Sequence, residues 1–471
     1  MYFIAYGNDF GTDQRAWVPE IWAQETLAIL ERNMVMANLV HRDFENEVAE
    51  HGDVVNTRKP GQFEAERKGK NDDVTIQDAT AEKVPVKLDQ HIHTSFKIQD
   101  SEASKSFEDL VQVYLAPAAL SIATQVDSII LGQVYQFLAN QAGQLGKFSA
   151  TSDQAKYDIL AARKVLNDNL APMADRNLIL TSKAETEALK MELFTSAEKV
   201  GDEGTALREA SLGRRLGFNI YMCQGAPSTI NAAYTVGTDH VSSGAAGSTT
   251  VVLDGGSGSS YAIGQYITFD TVNDLAPYRI TNIATDTLTI NRPLRYTLDG
   301  STDVNRYTMG AVDLAGHTGT TTYPAGYDKW IKVDGAGVPQ TGQLVSFNDS
   351  SPNVNRAGEY CMIRVKTVGG GTYIMLDRPL DVALEDNDTV GYGPNGDYNF
   401  AFTKNALALV TRPLAPPKEG TGAISSTVDF NGLTIRVTIT YDGRGQGQLV
   451  TLDLLCGVKV LDTDLGCVLL G

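Results

Sequence analysis

Few residues in this 471-residue chain are arranged for chemistry. His91-Ile92-His93 sets two imidazoles on one face of a strand, the spacing of a metal half-site. No third ligand lies near in sequence, and Lys87, Asp89 and Lys97 share the face, so the pair reads as a solvent-facing polar stripe. His41, His51, His240 and His317 have no recognisable partners in the sequence. Gly443-Arg444-Gly445-Gln446-Gly447 has the glycine density of a phosphate-cradling loop, but it joins two strands and is expected to be a hairpin turn. Ser257, in Asp254-Gly255-Gly256-Ser257-Gly258-Ser259, lacks the second glycine and the strand-to-helix setting of a nucleophile elbow. Asp462-Thr463-Asp464 and Glu385-Asp386-Asn387-Asp388 do not follow the twelve-residue calcium loop and are expected to be surface turns. Cys223, Cys361, Cys456 and Cys467 form no C-x-x-C pair and no disulfide framework. Cys456, between Leu455 and Gly457, is expected to be a small apolar core residue. No catalytic, cofactor-binding or metal-binding residue is assigned, and the chain is not expected to be an enzyme.

Composition narrows the alternatives. The length exceeds the ~250–300 residues at which single cores stop growing, so more than one domain is expected. With 42% apolar and 20% charged residues the chain is globular rather than disordered. Acidic side chains outnumber basic ones 57 to 39, a formal charge of -18, which argues against wrapping nucleic acid by neutralising phosphates. No uncharged apolar run reaches ~18 residues, so no membrane span is expected. Met1 to Gly7 has no basic n-region and Asp9 follows, so a signal peptide is not expected either. The simplest compartment is the cytoplasm.

Residues 1–223 hold 12 of the 44 glycines, so a helix-rich first half gives way to a turn-rich, strand-rich second half. Residues 18–50 read as helix plus connections. Pro19 fits its first turn, and Trp22, Ile29 and Met36, with Ile21, Ala28 and Val35 beside them, form one apolar face. Asp53 to Thr57 is strand-like, and Val84 to Ile98 alternates as one long, half-exposed strand. Between them lies a polar stretch, dense in Arg58, Lys59, Glu64, Glu66, Arg67, Lys68, Lys70, Asp72 and Asp73, too long for an idle loop. Residues 53–98 thus form a two-stranded excursion with a charged tip, marginal alone and expected to lean on something else. Ser106 and Asp109 open a helical run, and Pro117 is expected to begin one long helix over roughly 117–141. A helix over 153–168, a strand from Asn177 to Thr181, a helix capped by Ser182 and Glu185 to about Phe194, and a strand Phe218 to Met222 follow; Gly204 to Gly217 is helical or irregular.

An internal repeat occupies residues 226–398. Val252-Leu253-Asp254-Gly255 matches Lys332-Val333-Asp334-Gly335, Gly264 to Phe269 matches Gly342 to Phe347, and Arg292-Pro293-Leu294 matches Arg378-Pro379-Leu380, at offsets of 80, 78 and 86. Two copies of one small β domain, about 247–311 and 328–394, are expected. Phe400 to Lys404 resumes an apolar chain. The last fifty or so residues read as a meander turning at Asn431-Gly432 and Asp442-Gly443.

Taken in order, these pieces resemble a tailed-bacteriophage major capsid protein of the branch that carries an inserted β domain. The resemblance rests on Val18 to Trp22, Gly52 to Val55 with Arg58-Lys59-Pro60, the long helix after Pro117, Gly213 to Tyr221, Phe402 to Leu414 and Gly432 to Val460. It covers about residues 15–225 and 400–471. It implies an α+β, tailed-phage/herpesvirus-type capsid fold with an inserted tandem pair of small β domains. The expected parts are an N-terminal arm (1–51), an extended β loop (52–104), a peripheral domain with a spine helix (105–150) and an axial domain (151–225). The inserted domains (226–398) and the returning strands of the axial and peripheral domains (399–471) complete it. The function implied is a self-assembling shell around the double-stranded DNA of a tailed phage, made in the host bacterial cytoplasm and located in the virion. Its partners would be further copies in hexamers and pentamers, a portal protein and packaged DNA bound without sequence specificity, with room for a decoration or cement protein, no membrane and no cofactor. Seventeen residues before Val18 leave no place for a fused scaffolding segment, which implies a separate scaffolding protein. Arg58, Lys59, Arg67, Lys68, Lys70, Asp72 and Asp73 would lie on a neighbouring subunit. The chain departs from the family pattern in having two inserted domains rather than one. The rival reading is a tail or adhesion protein whose tandem β domains bind carbohydrate, and the helix-rich first half with its ribbon weighs against it. A hydrolase with accessory β domains would need an acid–base pair, which the sequence lacks.

Overall fold

The computed structural model describes residues 19–42, 54–59, 65, 67–68, 70, 73, 82–99, 111–195, 212–230, 232–235, 239–270, 275–315, 322–335, 338–349, 358–412, 414–418, 422–430 and 433–471. Helices and mainly antiparallel sheets make an α+β fold. The chain divides into two compact units. One comprises Met1–Met34, Arg42–Val126 and Ala408–Lys459, the other Val35–His41, Asp127–Leu407 and Val460–Gly471.

In the first unit the C-terminal meander forms as its turn residues dictate. Ala423–Phe430 pairs with Leu433–Asp442, which pairs with Gly447–Val460, antiparallel throughout. Leu433, Ile435, Val437, Val450, Leu452 and Leu454 are buried, as alternation requires. The helix Pro19–Asn33 packs against the first two of these strands. Its buried face is Trp22, Ala23, Thr26 and Leu27. Ala28, expected on the apolar side, is exposed, because the helix ends at Asn33 and the expected two-turn stripe through Met36 never forms. Trp22 stacks on Phe96 at 6.4 Å, and Phe96 on Tyr114 at 5.7 Å.

The strand expected from Val84 to Ile98 is two strands in two sheets. Among the described residues Glu82–Lys87 pairs only with Val54–Lys59, while Gln90–Gln99 joins the meander against Gly447–Val460. The switch falls where Gly457 meets the chain: a Cβ there would lie 2.2 Å from the Lys87 carbonyl oxygen. The long helix also differs from expectation. Val111–Leu115 is a π turn, and α-helix begins at Ala116 rather than at Pro117. Proline has no N–H to bond back, so the ladder changes pitch at this point. Residues Val113–Phe137 are long and apolar enough to cross a membrane by length and composition, and 67% of that window is buried inside the protein. It therefore reads as a core helix.

The second unit is built on a sheet in the order Gln141–Gly143, Gly466–Leu470, Gly396–Thr403, Arg176–Leu180, Phe218–Met222, Arg214–Arg215. Helices Gln154–Asp168 and Ser182–Leu189 bury Ile159, Ala162, Leu166, Ala184 and Ala188 in one core with Leu180, Phe218 and Leu469. The second helix is capped by Thr181, whose hydroxyl accepts from Ala184 N, rather than by Ser182. The strand Gly466–Leu470 went unread in the sequence because it is apolar throughout and carries no alternation. Most of Gly204 to Gly217 lies outside the described residues.

Residues 241–392 form two β assemblies with one strand order. The first runs Val241–Ser243, Thr250–Leu253, Thr287–Ile290, Tyr278–Ala284, Tyr266–Asp270, Asp303–Tyr307, with Tyr234–Thr235 added as a seventh strand beside the last, and the bridge His240↔Asp303 links its ends. The second runs Met309–Val312, Ile331–Gly335, Gly371–Leu376, Glu359–Val368, Leu344–Asn348, Thr389–Tyr392, and is a closed barrel. Met309–Val312, read as the end of the first copy, is thus the opening strand of the second.

The correspondence extends to single atoms. Gly264 and Gly342 both adopt left-handed backbone, φ +85° and +84°. Gln265 Oε1 accepts from Ala262 N (3.2 Å) and its Nε2 donates to Tyr307 O (2.9 Å). Gln343 repeats this with Gln340 N (3.1 Å) and Gly393 O (2.8 Å). Asn291 Oδ1 accepts from Arg279 N (3.0 Å), and Asp377 Oδ1 from Cys361 N (2.7 Å). The glycine corner of the first assembly abuts the second, where Ser346 Oγ donates to Gly264 O at 2.7 Å. The corner of the second abuts the sheet: a Cβ on Gly342 would lie 2.5 Å from Ser228 N.

Gly326 shares the left-handed conformation (φ +83°) but faces open space. Gly326→Ala should therefore cost only the conformational penalty, about 1–2 kcal/mol. Gly342→Ala should cost about 1–3 kcal/mol beyond that, because a backbone cannot step aside. Equal losses in urea titrations of the two variants would show that this seam yields freely.

Candidate functional site

The residues with chemical promise are each committed to local structure. His91 Nε2 lies 3.6 Å from Asp453 Oδ2, and the His91 and His93 rings are 6.3 Å apart on the exposed face. Asp453 is already held by Arg436, whose Nε donates to Oδ1 at 2.9 Å and whose Nη2 pairs with Oδ2. Among the described residues no group of three His, Cys, Asp or Glu side chains could hold a metal ion. Gly443 to Gly447 is a hairpin turn whose N–H groups are occupied from within. Asp442 Oδ1 accepts from Arg444 N at 3.1 Å, and its Oδ2 pairs with Lys97 at 2.8 Å.

The acidic turns are likewise self-satisfied. Asp462 Oδ1 accepts from Asp464 N, Asp386 Oδ1 from Leu314 N, and Asp388 Oδ2 from Glu385 N. Asp388 departs from the expected surface turn, being fully buried where it closes the barrel loop. Ser257 sits in a short turn whose next residue, Gly258, donates its N–H to Asp286. All four cysteines are free and buried, and burial pushes the thiols of Cys223, Cys456 and Cys467 up to about 12. Such thiols are inert.

Of the charged residues assigned to a neighbour contact, Arg58 and Lys59 end the strand Val54–Lys59, opposite Lys83 and Glu82. Arg67, Lys68, Lys70 and Asp73 are exposed. Asp72 lies outside the described residues, as do Glu64 and Glu66. The structure thus places four of the seven side chains in solvent.

Sequence reasoning missed the groups that hold the second unit together, since each works across a long separation. Asp127, buried on the long helix, takes the N–H groups of Val35 (2.9 Å), Met36 (3.0 Å) and Ala37 (3.4 Å), which starts the short helix Met36–Leu39. Asp397 takes Ser228 Oγ at 2.6 Å and Lys183 Nζ at 3.1 Å. Asp377 takes Gln133 Nε2 at 2.7 Å as well as Cys361 N, and burial pushes its carboxyl well above the usual range. Arg292 and Glu359 pair, largely out of solvent, between the two β assemblies. An aspartate inside an apolar helical run was the one available signal, at Asp127.

Burial outweighs the three N–H donors at Asp127 and raises its carboxyl from 3.8 to about 6. The folded protein then holds this proton more tightly than the unfolded chain. Its stabilising contribution is complete below the unfolded value and is lost as pH rises through about 6. Measured against Asp127→Asn, which cannot titrate, the wild type should weaken by about 3 kcal/mol between about pH 4 and 7. A difference between the two that stays constant with pH in urea titrations would refute this.

No protein-family model matches the chain, and no curated protein matches it. Among solved structures, the chain is similar to one described as Mycobacterium phage Che8, with 14% identity, 99% of this chain and 98% of that chain covered, and a TM-score of 0.40. It is also similar to a chain in the capsid structure of cyanophage P-SCSP1u, with 9% identity, coverages of 91% and 88%, and a TM-score of 0.40. A third likeness is to the asymmetric unit of the bacteriophage PhiM1 mature capsid, with 8% identity, coverages of 91% and 87%, and a TM-score of 0.38.

Proposed function

We propose that this chain is a major capsid protein that self-assembles into the icosahedral head of a tailed phage. The observation that carries the reading is the ribbon Val54–Lys59/Glu82–Lys87. It pairs in register from Val54↔Lys87 to Lys59↔Glu82 and, among the described residues, with no third strand. A lone two-stranded ribbon is marginal in water. A shell supplies what it lacks, because the ribbon of each subunit lies on its neighbour. Residues 52–104 then serve as the extended loop, the helix Ala116–Gly132 as the spine of the peripheral domain, and residues 151–225 with Gly396–Thr403 and Gly466–Leu470 as the axial domain. The two β assemblies are tandem copies of one inserted domain, a reading supported by their common strand order and their matched glycine–glutamine corners.

The formal charge of -18 suits a container, which must confine DNA without adsorbing it. A scaffolding protein, a portal and, where present, a cement protein are the partners that suit this role. Hexamers and pentamers are the assembly units.

Negative-stain microscopy of the chain expressed with its scaffold should show closed shells or large polymers; a strictly monomeric species under every condition would sink the reading. The ribbon tip offers a finer test. In solvent, each of its charges is worth roughly 0–1 kcal/mol. Lys68→Glu with Lys70→Glu should leave the stability of unassembled protein within about 0.5 kcal/mol. Shell yield should fall, and fall further at low salt, where screening is weakest. Normal yield at low salt would show that these lysines face water in the shell.

A further inference from the structure

The loop after the helix Gln154–Asp168 presents an apolar knob. Leu170 is 90% exposed and Met173 69%. A single exposed leucine is ordinary, but this one is held out at some cost. Its φ is +56°, a left-handed conformation that disfavours any residue with a Cβ. The loop is braced from beneath by Arg176, which is buried. Its Nε donates to Pro172 O (2.7 Å), its Nη2 to Ala171 O (2.7 Å) and its Nη1 to Asn167 Oδ1 (2.8 Å). Ala171 N bonds to Leu166 O at 2.9 Å, so the knob stands on the helix end as a fixed feature. The positive φ is the left-handed turn that ends the helix, closed by Ala171 N to Leu166 O, and it holds Leu170 outward.

The same helix carries an apolar strip at its other end. Tyr157 is 57% exposed and Leu160 37%. Lys164, exposed, lies beside this strip, where Lys156 is paired with Asp153 (3.9 Å), while Asp168 and Asp175, both exposed, bracket the knob. Knob and strip are therefore complementary in charge as well as apolar. They lie thirteen residues apart on one rigid element, about 20 Å along its axis. The knob cannot reach its own strip, and the structure that offers a matching strip is another copy of this chain.

We infer that Leu170 and Met173 of one copy seat on Tyr157 and Leu160 of a second copy, with Asp168 and Asp175 against Lys164. This rests on the self-assembly reading above and names the contact residues within it. A contact of this kind either closes as a two-fold pair or runs head to tail into a ring.

Cysteine crosslinking tests it, since the four native thiols are buried and silent. Leu160→Cys and Leu170→Cys proteins, mixed under mild oxidation where the wild type assembles, should give a 160–170 crosslinked dimer that neither variant gives alone. In parallel, Leu170→Gly with Met173→Ser removes the knob while relieving the positive φ, so folding is kept. It should raise the protein concentration needed for assembly about tenfold or more. Shells formed by wild type with no 160–170 crosslink, or with an unchanged assembly threshold in the knobless variant, would overturn the inference and leave self-assembly standing. A wild type that never associates would overturn both.

Discussion

The second unit depends on one strand, Gly396–Thr403, in which every residue is buried. It pairs with Gly466–Leu470 on one side and Arg176–Leu180 on the other, and its first two residues also pair with Ser228–Thr229. Gly396 lies opposite Thr229 and Asp397 opposite Ser228, so the chain leaves the sheet and re-enters it at adjoining points. That geometry is why so long an excursion costs the sheet little: the ends are already together, and loop-closure entropy grows only slowly with length. Asp397 fastens the seam, and the C-terminal Gly471 exchanges both backbone hydrogen bonds with it (2.7 and 2.8 Å). The Asp397 carboxylate takes Ser228 at the start of the excursion, while its backbone holds Gly471.

The two β assemblies show which parts of a small barrel are obligatory. Both keep the glycine whose left-handed turn no other residue adopts freely, and the glutamine that ties the corner to the last strand. Elsewhere they diverge according to what they touch. Asn291 and Asp377 do the same work, accepting one backbone N–H across the barrel. Asn291 shows that a neutral side chain suffices for that. Asp377 adds the bond to Gln133, and its neighbour Arg378 lies over the rings of Tyr360 (4.1 Å) and Tyr135 (5.6 Å). The second barrel has thus specialised as the one whose strands rest on the helix end, where even the Cβ of an alanine at Gly132 would come within 2.5 Å of Asp377. Burial favours the uncharged acid, which makes the pair of positions more alike chemically than their names imply.

How much of this could be read beforehand follows from the range of each interaction. Asn431-Gly432 and Asp442-Gly443 announce hairpins because turn chemistry is local, and the strands on either side formed where alternation placed them. The matched stretches Gly264 to Phe269 and Gly342 to Phe347 were legible because each carries the left-handed glycine and the glutamine of its corner. The unbroken alternation from Val84 to Ile98 misled, since a period of two does not say which sheet a strand joins, and Gly457, over 350 residues onward, decides that. The pairings of Asp127 with Val35, Asp377 with Gln133 and Arg292 with Glu359 span 92, 244 and 67 residues. In the sequence these groups were indistinguishable from the other charges. Negative charge was legible as a sum, and its buried members were not.

That sum bears on how copies of this chain could meet. A molecule carrying -18 repels its own kind at long range, which keeps unassembled subunits soluble and makes any association depend on short-range contacts. Screening at physiological salt leaves about 8 Å over which charge is felt, so the contacts that matter must locally pair charge or bury apolar surface. Two features of the fold meet that demand in different ways. The ribbon tip sets Arg67, Lys68 and Lys70 among Glu64, Glu66, Asp72 and Asp73, a stretch of mixed charge on an acidic molecule. The Leu170 knob and the Tyr157 strip each expose apolar surface with charged side chains at the rim. Each such contact is individually weak, and weak contacts repeated around a closed surface permit errors to dissociate before they are locked in. A chain whose net charge opposes association while a few braced, local features favour it is one whose assembly can be set by conditions rather than by affinity alone.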